Sequence, residues 1–203
     1  MKHIVVSGEY ISDSDKKINE GVYRKDGKIY SLYTGVLYDN EFGIKVVPLN
    51  GKYASKIGDV IIGRVVSEEN FFFVLDVNCP KTITLSKREV DLTLNPEDYL
   101  LLRVTSVNEV KEIAVEIISK LYNGNACSIN SKKVPRVIGK SKSMLSLIEK
   151  YSESKVVVGA NGYVYILGGN VELVKKALDK IEKYSHVDNL TSSMEEYLEK
   201  ITN

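Results

Sequence analysis

The sequence is poor in the side chains on which most enzyme chemistry rests. Its only histidines, His3 and His186, stand near the two ends of 203 residues. No paired base and nucleophile, no DxD-type metal set in a strand–helix frame and no P-loop glycine motif accompanies them, which argues against an enzyme in its own right and leaves no catalytic residue, metal or cofactor to nominate. Cysteine is equally scarce. Cys79 and Cys127 are far apart and outside any CxxC spacing, so neither a zinc site nor a disulfide framework is indicated. No apolar run approaches the roughly 18 residues of a membrane span, and the opening MKHIVVSGEY lacks the long apolar core of a secretory signal. The expectation is a cytoplasmic chain without membrane contact. A large charge imbalance is missing too: the net charge is +1, not that of a protein built to coat nucleic acid.

Where the charges lie is more telling than their sum. Residues 1–53 carry 8 basic and 7 acidic groups, residues 54–122 carry 8 and 11, and residues 123–203 carry 12 and 9. Between Ile117 and Ile148 there is no Asp or Glu, whereas Lys120, Lys132, Lys133, Arg136, Lys140 and Lys142 supply six basic side chains. A cluster of one sign in the run KKVPRVIGKSKSMLSL points to phosphate as partner.

Residues 1–53 alternate in the manner of short strands. Val22 and Tyr23, then Asp26-Gly27, then Ile29 and Tyr30 predict a hairpin, because Asp-Gly supplies the positive φ angles of a two-residue turn. A second hairpin is predicted through Leu32, Val36 and Tyr38, turning near Asp39-Asn40 and Phe42-Gly43 and returning through Ile44, Val46 and Val47. So small a β unit buries little apolar surface by itself. Asp13 and Asp15 read as solvated turn residues, the metal-ligand reading being the weaker one.

Five candidate strands follow: Val60–Val66, Phe71–Val77, Lys81–Leu85, Tyr99–Val107 and Glu112–Ile118. Five short strands with an extended link, SKREVDLTLNPED, between the third and fourth suggest an OB-fold barrel. In Phe71-Phe72-Phe73 alternate rings must face opposite sides of the strand. One ring, Phe73 by preference, is a candidate base-stacking residue, against the competing role of filling the barrel.

Beyond Asn123-Gly124-Asn125 the pattern becomes mixed. A strand over Ala126–Ile129 precedes a short helix opened by Pro135. Gly139–Lys142 interrupts it before a second helix, whose Met144, Leu147, Ile148 and Tyr151 form a core stripe. Lys155–Val158 and Tyr163–Leu167 flank an Asn-Gly turn, and Val174, Ala177, Leu178 and Ile181 mark a third helix. Ser192 and Glu195 have capping-box spacing ahead of a terminal helix with the stripe Met194, Tyr197, Leu198 and Ile201. Strand, helix, helix, strand, strand, helix, with a glycine-centred loop between the first two helices, is the order of the KH RNA-binding module.

In that module the loop is G-x-x-G, its glycines allowing close approach of main chain to nucleotide backbone. Here it reads Gly139-Lys140-Ser141-Lys142. VPRVIGKSKSM resembles the KH loop of the cap subunit of the archaeal RNA exosome, GKYASKIGDVIIGRVV resembles the start of that family's OB barrel, and DGKIYSLYTGVL resembles its N-terminal β domain. The blocks occur in the family's order and span nearly the whole chain.

The resemblance implies a multidomain protein: an all-β N-terminal domain (1–53), a five-stranded OB-fold RNA-binding domain (54–122), and an α+β KH domain with a C-terminal helix (123–203). It implies a non-catalytic subunit, in three copies, seated on a hexameric ring of phosphorolytic exonuclease subunits and feeding single-stranded RNA into it. The implied RNA-binding residues are Lys132, Lys133, Arg136, Gly139, Lys140, Ser141 and Lys142, with Phe73 and with Lys81, beside Pro80, in the barrel. Lys142 stands where the family's second glycine is expected, so a looser phosphate contact is expected in place of a shaped clamp. Gly159, Asn161 and Gly162 match a hairpin that in this family looks structural, at the seam of barrel and KH module. A scaffold with residual RNA binding, and a translation-associated RNA binder, are the alternatives.

Overall fold

The computed structural model describes residues 2–13, 15–79, 81–109, 112–185, 187 and 189–202; Pro80 and His186, named above, lie outside the described residues. The chain divides into two units, Met1–Gly51 and Lys52–Asn203.

In the first unit β1 (Lys2–Val5), β2 (Tyr10–Ser12), β3 (Val22–Lys25), β4 (Lys28–Ser31), β5 (Gly35–Asn40) and β6 (Gly43–Pro48) form two antiparallel sheets, ordered β1-β5-β6 and β2-β4-β3. Asp26 and Gly27 take φ of 50° and 75° and close the β3–β4 hairpin, as the Asp-Gly pair predicts. The β5–β6 hairpin is also present, but Asn40 pairs with Gly43, so Asp39 and Asn40 belong to the strand and Glu41-Phe42 make the turn. Strands β1 and β2, only 4 and 3 residues long, give no alternation readable in the sequence. Val5, Val22, Ile29, Leu37, Ile44 and Val46 form the core of this unit. Asp15 lies 3.5 Å from Arg24, and the nearby Asp13 carboxylate pushes the Tyr10 phenol up.

The second unit opens with β7 (Val60–Glu68), β8 (Phe72–Asp76), β9 (Ile83–Ser86), β10 (Tyr99–Val107) and β11 (Ile113–Leu121), an antiparallel sheet ordered β11-β10-β7-β8-β9. Register shifts in the β7–β8 and β10–β11 pairs bend the strands. The edge strands β9 and β11 thereby approach each other around a core that includes Ile61, Phe73, Leu75, Leu100 and Leu102. A 3-10 turn, Lys87–Glu89, occupies part of the long link after β9.

There follow β12 (Gly124–Ser128), a 3-10 turn (Ser131–Lys133), α1 (Val134–Ile138), a second 3-10 turn (Lys140–Lys142), α2 (Ser143–Ser152), β13 (Lys155–Val158), β14 (Tyr163–Leu167), α3 (Val171–Tyr184) and α4 (Leu190–Thr202). The sheet order is β12-β14-β13. Met144 and Ile148 of α2 pack with Val174, Ala177, Leu178 and Ile181 of α3 and with Leu190, Met194 and Leu198 of α4. The terminal helix thus docks on its own unit. Ser192 corrects the capping-box expectation: α4 begins two residues earlier, so Ser192 lies inside its first turn and not at the cap. The Asn170 side chain caps α3, accepting from the Leu173 N–H at 3.0 Å.

The hairpin between β13 and β14 fastens this α+β part to the barrel-like sheet. Asn161 is fully buried. Its amide donates to the carbonyls of Ile62 and Val77, both at 2.7 Å, and its oxygen accepts from the Ile62 N–H at 3.2 Å. Ala160 N–H donates to the Val60 carbonyl at 2.8 Å and the Tyr163 hydroxyl to Asp76 at 2.6 Å. Gly159 is required for this approach, because a Cβ there would lie 2.8 Å from the Ile62 nitrogen. No helix among the described residues is long and apolar enough to cross a membrane.

Candidate nucleic-acid interface

The basic run folds into two helices joined by a tight turn. Pro135 sits in the first turn of α1, where its missing N–H costs no helical hydrogen bond. Gly139 ends α1 with φ 72°, donating to the Pro135 carbonyl at 3.0 Å. A Cβ on Gly139 would stand 2.7 Å from the Met144 nitrogen, so only glycine fits. Ser141 (φ 51°, ψ 34°) and Lys142 (φ 65°, ψ 16°) are both left-handed, a conformation costing a non-glycine residue about 1–2 kcal/mol. Lys142 makes no side-chain cap on α2. The Ser143 N–H at the start of α2 donates back to the Lys140 carbonyl, and the helix end carries partial positive charge toward the turn.

The sequence candidates fall into three groups. Lys140, Ser141 and Lys142 are brought together on the turn, all exposed, and Lys132, Arg136 and Gly139 are half-buried on the elements leading to it. Lys81 is exposed in the link ahead of β9, which begins only at Ile83, and pairs with Glu112 at 3.7 Å. Lys133 and Phe73 are corrected by the structure. Lys133 is buried and donates to the Ser185 hydroxyl at 2.5 Å. Burial pushes its pKa down, with Glu182 opposing and Arg136 adding to the shift. It ties the turn before α1 to the end of α3 and offers nothing to solvent. Phe73 is buried because alternation along β8 turns it inward with Leu75, under the Lys87 ammonium at 5.3 Å. Phe72 faces outward at 39% exposure, and Phe71, just ahead of the strand, is 74% exposed.

The two thiols are free and half-buried. Burial pushes both Cys79 and Cys127 up, away from the reactive thiolate. No group of three His, Cys, Asp or Glu suited to a metal ion occurs among the described residues.

A β unit, a barrel-like sheet and an α+β part with an exposed cationic turn between its first two helices define the class: a modular β and α+β protein with a basic helix–turn–helix face. The chain is 33% identical over 216 residues to the exosome complex component Rrp4 of Picrophilus torridus, spanning 99% of this chain and 94% of that protein. The chain belongs to the family of the exosome complex component Rrp4. The Thermoplasma acidophilum member is 31% identical over 217 residues, spanning 99% and 92%. A crystallised protein provisionally described as an exosome complex RNA-binding protein superposes with a TM-score of 0.65 at 25% identity, covering 74% of this chain and 97% of that one. No family model matches the chain.

Proposed function

We propose that the chain is a non-catalytic, cytoplasmic RNA-binding cap subunit of an exosome complex, recruiting single-stranded RNA and passing it to a hexameric ring of phosphorolytic exonuclease subunits that carries three copies of it. The observation behind this reading is the exposed Lys140-Ser141-Lys142 turn at the uncapped start of α2 in a chain of the Rrp4 family. A cationic turn at the positive end of a helix has the chemistry of a phosphate contact.

The strand order β11-β10-β7-β8-β9 supports an OB-fold barrel over residues 54–122, since the first strand lies between the second and fourth and the third approaches the fifth. The order β12-α1-α2-β13-β14-α3 supports a KH module over 123–203, following an N-terminal domain over 1–53. The proposed RNA contacts are Lys132, Arg136, Gly139, Lys140, Ser141 and Lys142, with Lys81 on the barrel. Lys133 and Phe73 are left out on burial.

If one copy neutralises about three phosphates, single-strand counterion release gives a log–log salt slope of roughly −2, about a 16-fold loss of affinity from 50 to 200 mM salt. Three weak copies around one opening retain RNA through effective concentrations on the order of millimolar. The test is titration of labelled single-stranded RNA against the chain and its Lys140→Ala/Lys142→Ala variant. Weaker binding and a shallower slope in the variant support the reading. Equal and negligible binding by both favours the scaffold alternative, to which the Lys81–Glu112 pairing lends support.

A further inference from the structure

The outward face of the sheet β2-β4-β3 carries a row of tyrosines. Tyr10 lies opposite Tyr30, and Tyr30 opposite Tyr23, in the strand register. The ring centroids are 6.1 Å apart, edge-on, in the first pair and 5.6 Å apart, stacked, in the second. Val22 and Ile29 fill the inward face of the same strands, so the tyrosines occupy positions that a half-buried antiparallel sheet ordinarily gives to polar residues. Tyr10 is 48% exposed and Tyr23 38%.

Charge on this face tells what it suits. Lys25 and Lys28 stand two residues from Tyr23 and Tyr30 along their strands, hence on the same side. They face each other directly across the hairpin and are both exposed. Like charges directly opposed destabilise a strand pair, and an anion lying between them removes that repulsion. The Lys28 ammonium is 6.0 Å from the centre of the Tyr10 ring. Two carboxylates lie close by: Asp13, near the Tyr10 hydroxyl, and Asp26 in the turn. Lysines are depleted at the centre of protein–protein interfaces, whereas aromatic rows with neighbouring cations are how sheets hold unpaired bases.

We propose that this face is a second RNA platform, on which bases of single-stranded RNA stack against Tyr10, Tyr30 and Tyr23 while Lys25 and Lys28 meet the phosphates. It rests on the RNA-binding function above and extends the RNA path to the N-terminal unit.

The test uses the full chain and labelled oligouridylate at low salt. Variants are Tyr10→Ser/Tyr23→Ser, Tyr10→Phe/Tyr23→Phe and Lys25→Ala/Lys28→Ala, each checked for an unchanged thermal midpoint. The expected result is about tenfold weaker binding in the serine variant, little change in the phenylalanine variant, and a salt slope shallower by about 1.4 in the alanine variant. Should the serine variant unfold, the alanine variant and photo-crosslinking of 4-thiouridine RNA to Tyr10 or Tyr23 decide the matter. Unchanged affinity in the folded tyrosine and lysine variants, with Lys140→Ala/Lys142→Ala still weakening binding, overturns the platform and leaves the function standing. Loss of co-purifying exonuclease subunits with RNA affinity unchanged overturns it in favour of a protein contact. Negligible RNA binding by the unaltered chain overturns both.

Discussion

The Asn161 side chain pairs with the backbone of Ile62 as a neighbouring strand would, donating to its carbonyl at 2.7 Å and accepting from its N–H at 3.2 Å. A third bond, to the Val77 carbonyl, completes the buried amide. Asn161→Ala leaves three backbone groups without these partners in a buried site. Each such group costs about 1–3 kcal/mol, so a loss of at least about 3 kcal/mol is expected, measured by urea denaturation against the unaltered chain.

Tyr163 gives the same seam a pH response. Burial first, then the hydrogen bond to Asp76 and that carboxylate's charge, push the phenol far up. An unfolded tyrosine titrates near 10. Since the folded value is raised, this contribution to stability is complete below about pH 10 and declines as pH rises from there toward the folded value. Tyr163→Phe removes that decline. Denaturation midpoints at pH 8 and 10.5 are expected to differ less in the variant than in the unaltered chain.

Lys142 is expected to separate stability from binding. Lys142→Gly relieves a left-handed side chain, worth about 1–2 kcal/mol, against about 0.4–1 kcal/mol of added unfolded-chain entropy. A net gain of about 0.5 kcal/mol is expected. Loss of one phosphate contact reduces the magnitude of the single-strand salt slope by about 0.7. Thermal denaturation and RNA titration of one variant check both directions.

Lys133 serves as the converse control. Its ammonium is spent on Ser185 inside the fold, so Lys133→Met is expected to leave the RNA salt slope unchanged, whereas Lys140→Ala reduces its magnitude by about 0.7. A reduction in the Lys133 variant equal to that of Lys140→Ala contradicts this assignment.

The phenylalanine run offers a contrast in stability. Phe73→Ala empties a core position and is expected to cost about 3–5 kcal/mol, while Phe71→Ala, at 74% exposure, is expected to stay within about 0.5 kcal/mol of the unaltered chain. Chemical denaturation of the two variants measures the difference.

What could be read in advance was what local chemistry dictates. Asp26-Gly27 fixes a two-residue turn, and that turn places Tyr23 opposite Tyr30 and Lys25 opposite Lys28; the tyrosine row was half legible from the hairpin alone. Met144, Ile148, Val174 and Ile181 took the core positions their spacing assigns. What stayed hidden depended on partners distant in sequence. Nothing near Lys133 says that one lysine of the basic run turns inward to meet Ser185, 52 residues away. Alternation puts neighbouring rings on opposite faces without saying which face is the core, and it is Phe73 that turns inward while Phe72 faces out. Strand β1 is short and pairs with β5 across more than thirty residues, which leaves no local mark. Ser192 has the spacing of a cap, but packing of Leu190 into the core draws the helix start back past it.

A strand-like bond made by one side chain also sets a length. Because Asn161, Ala160 and Tyr163 pin the hairpin to β7 and β8, the span between the barrel surface and the cationic turn behaves as a ruler. On the proposed RNA path, an oligonucleotide that gains affinity from both is expected to need a minimum length set by this seam, and loosening Asn161 is expected to blur that length.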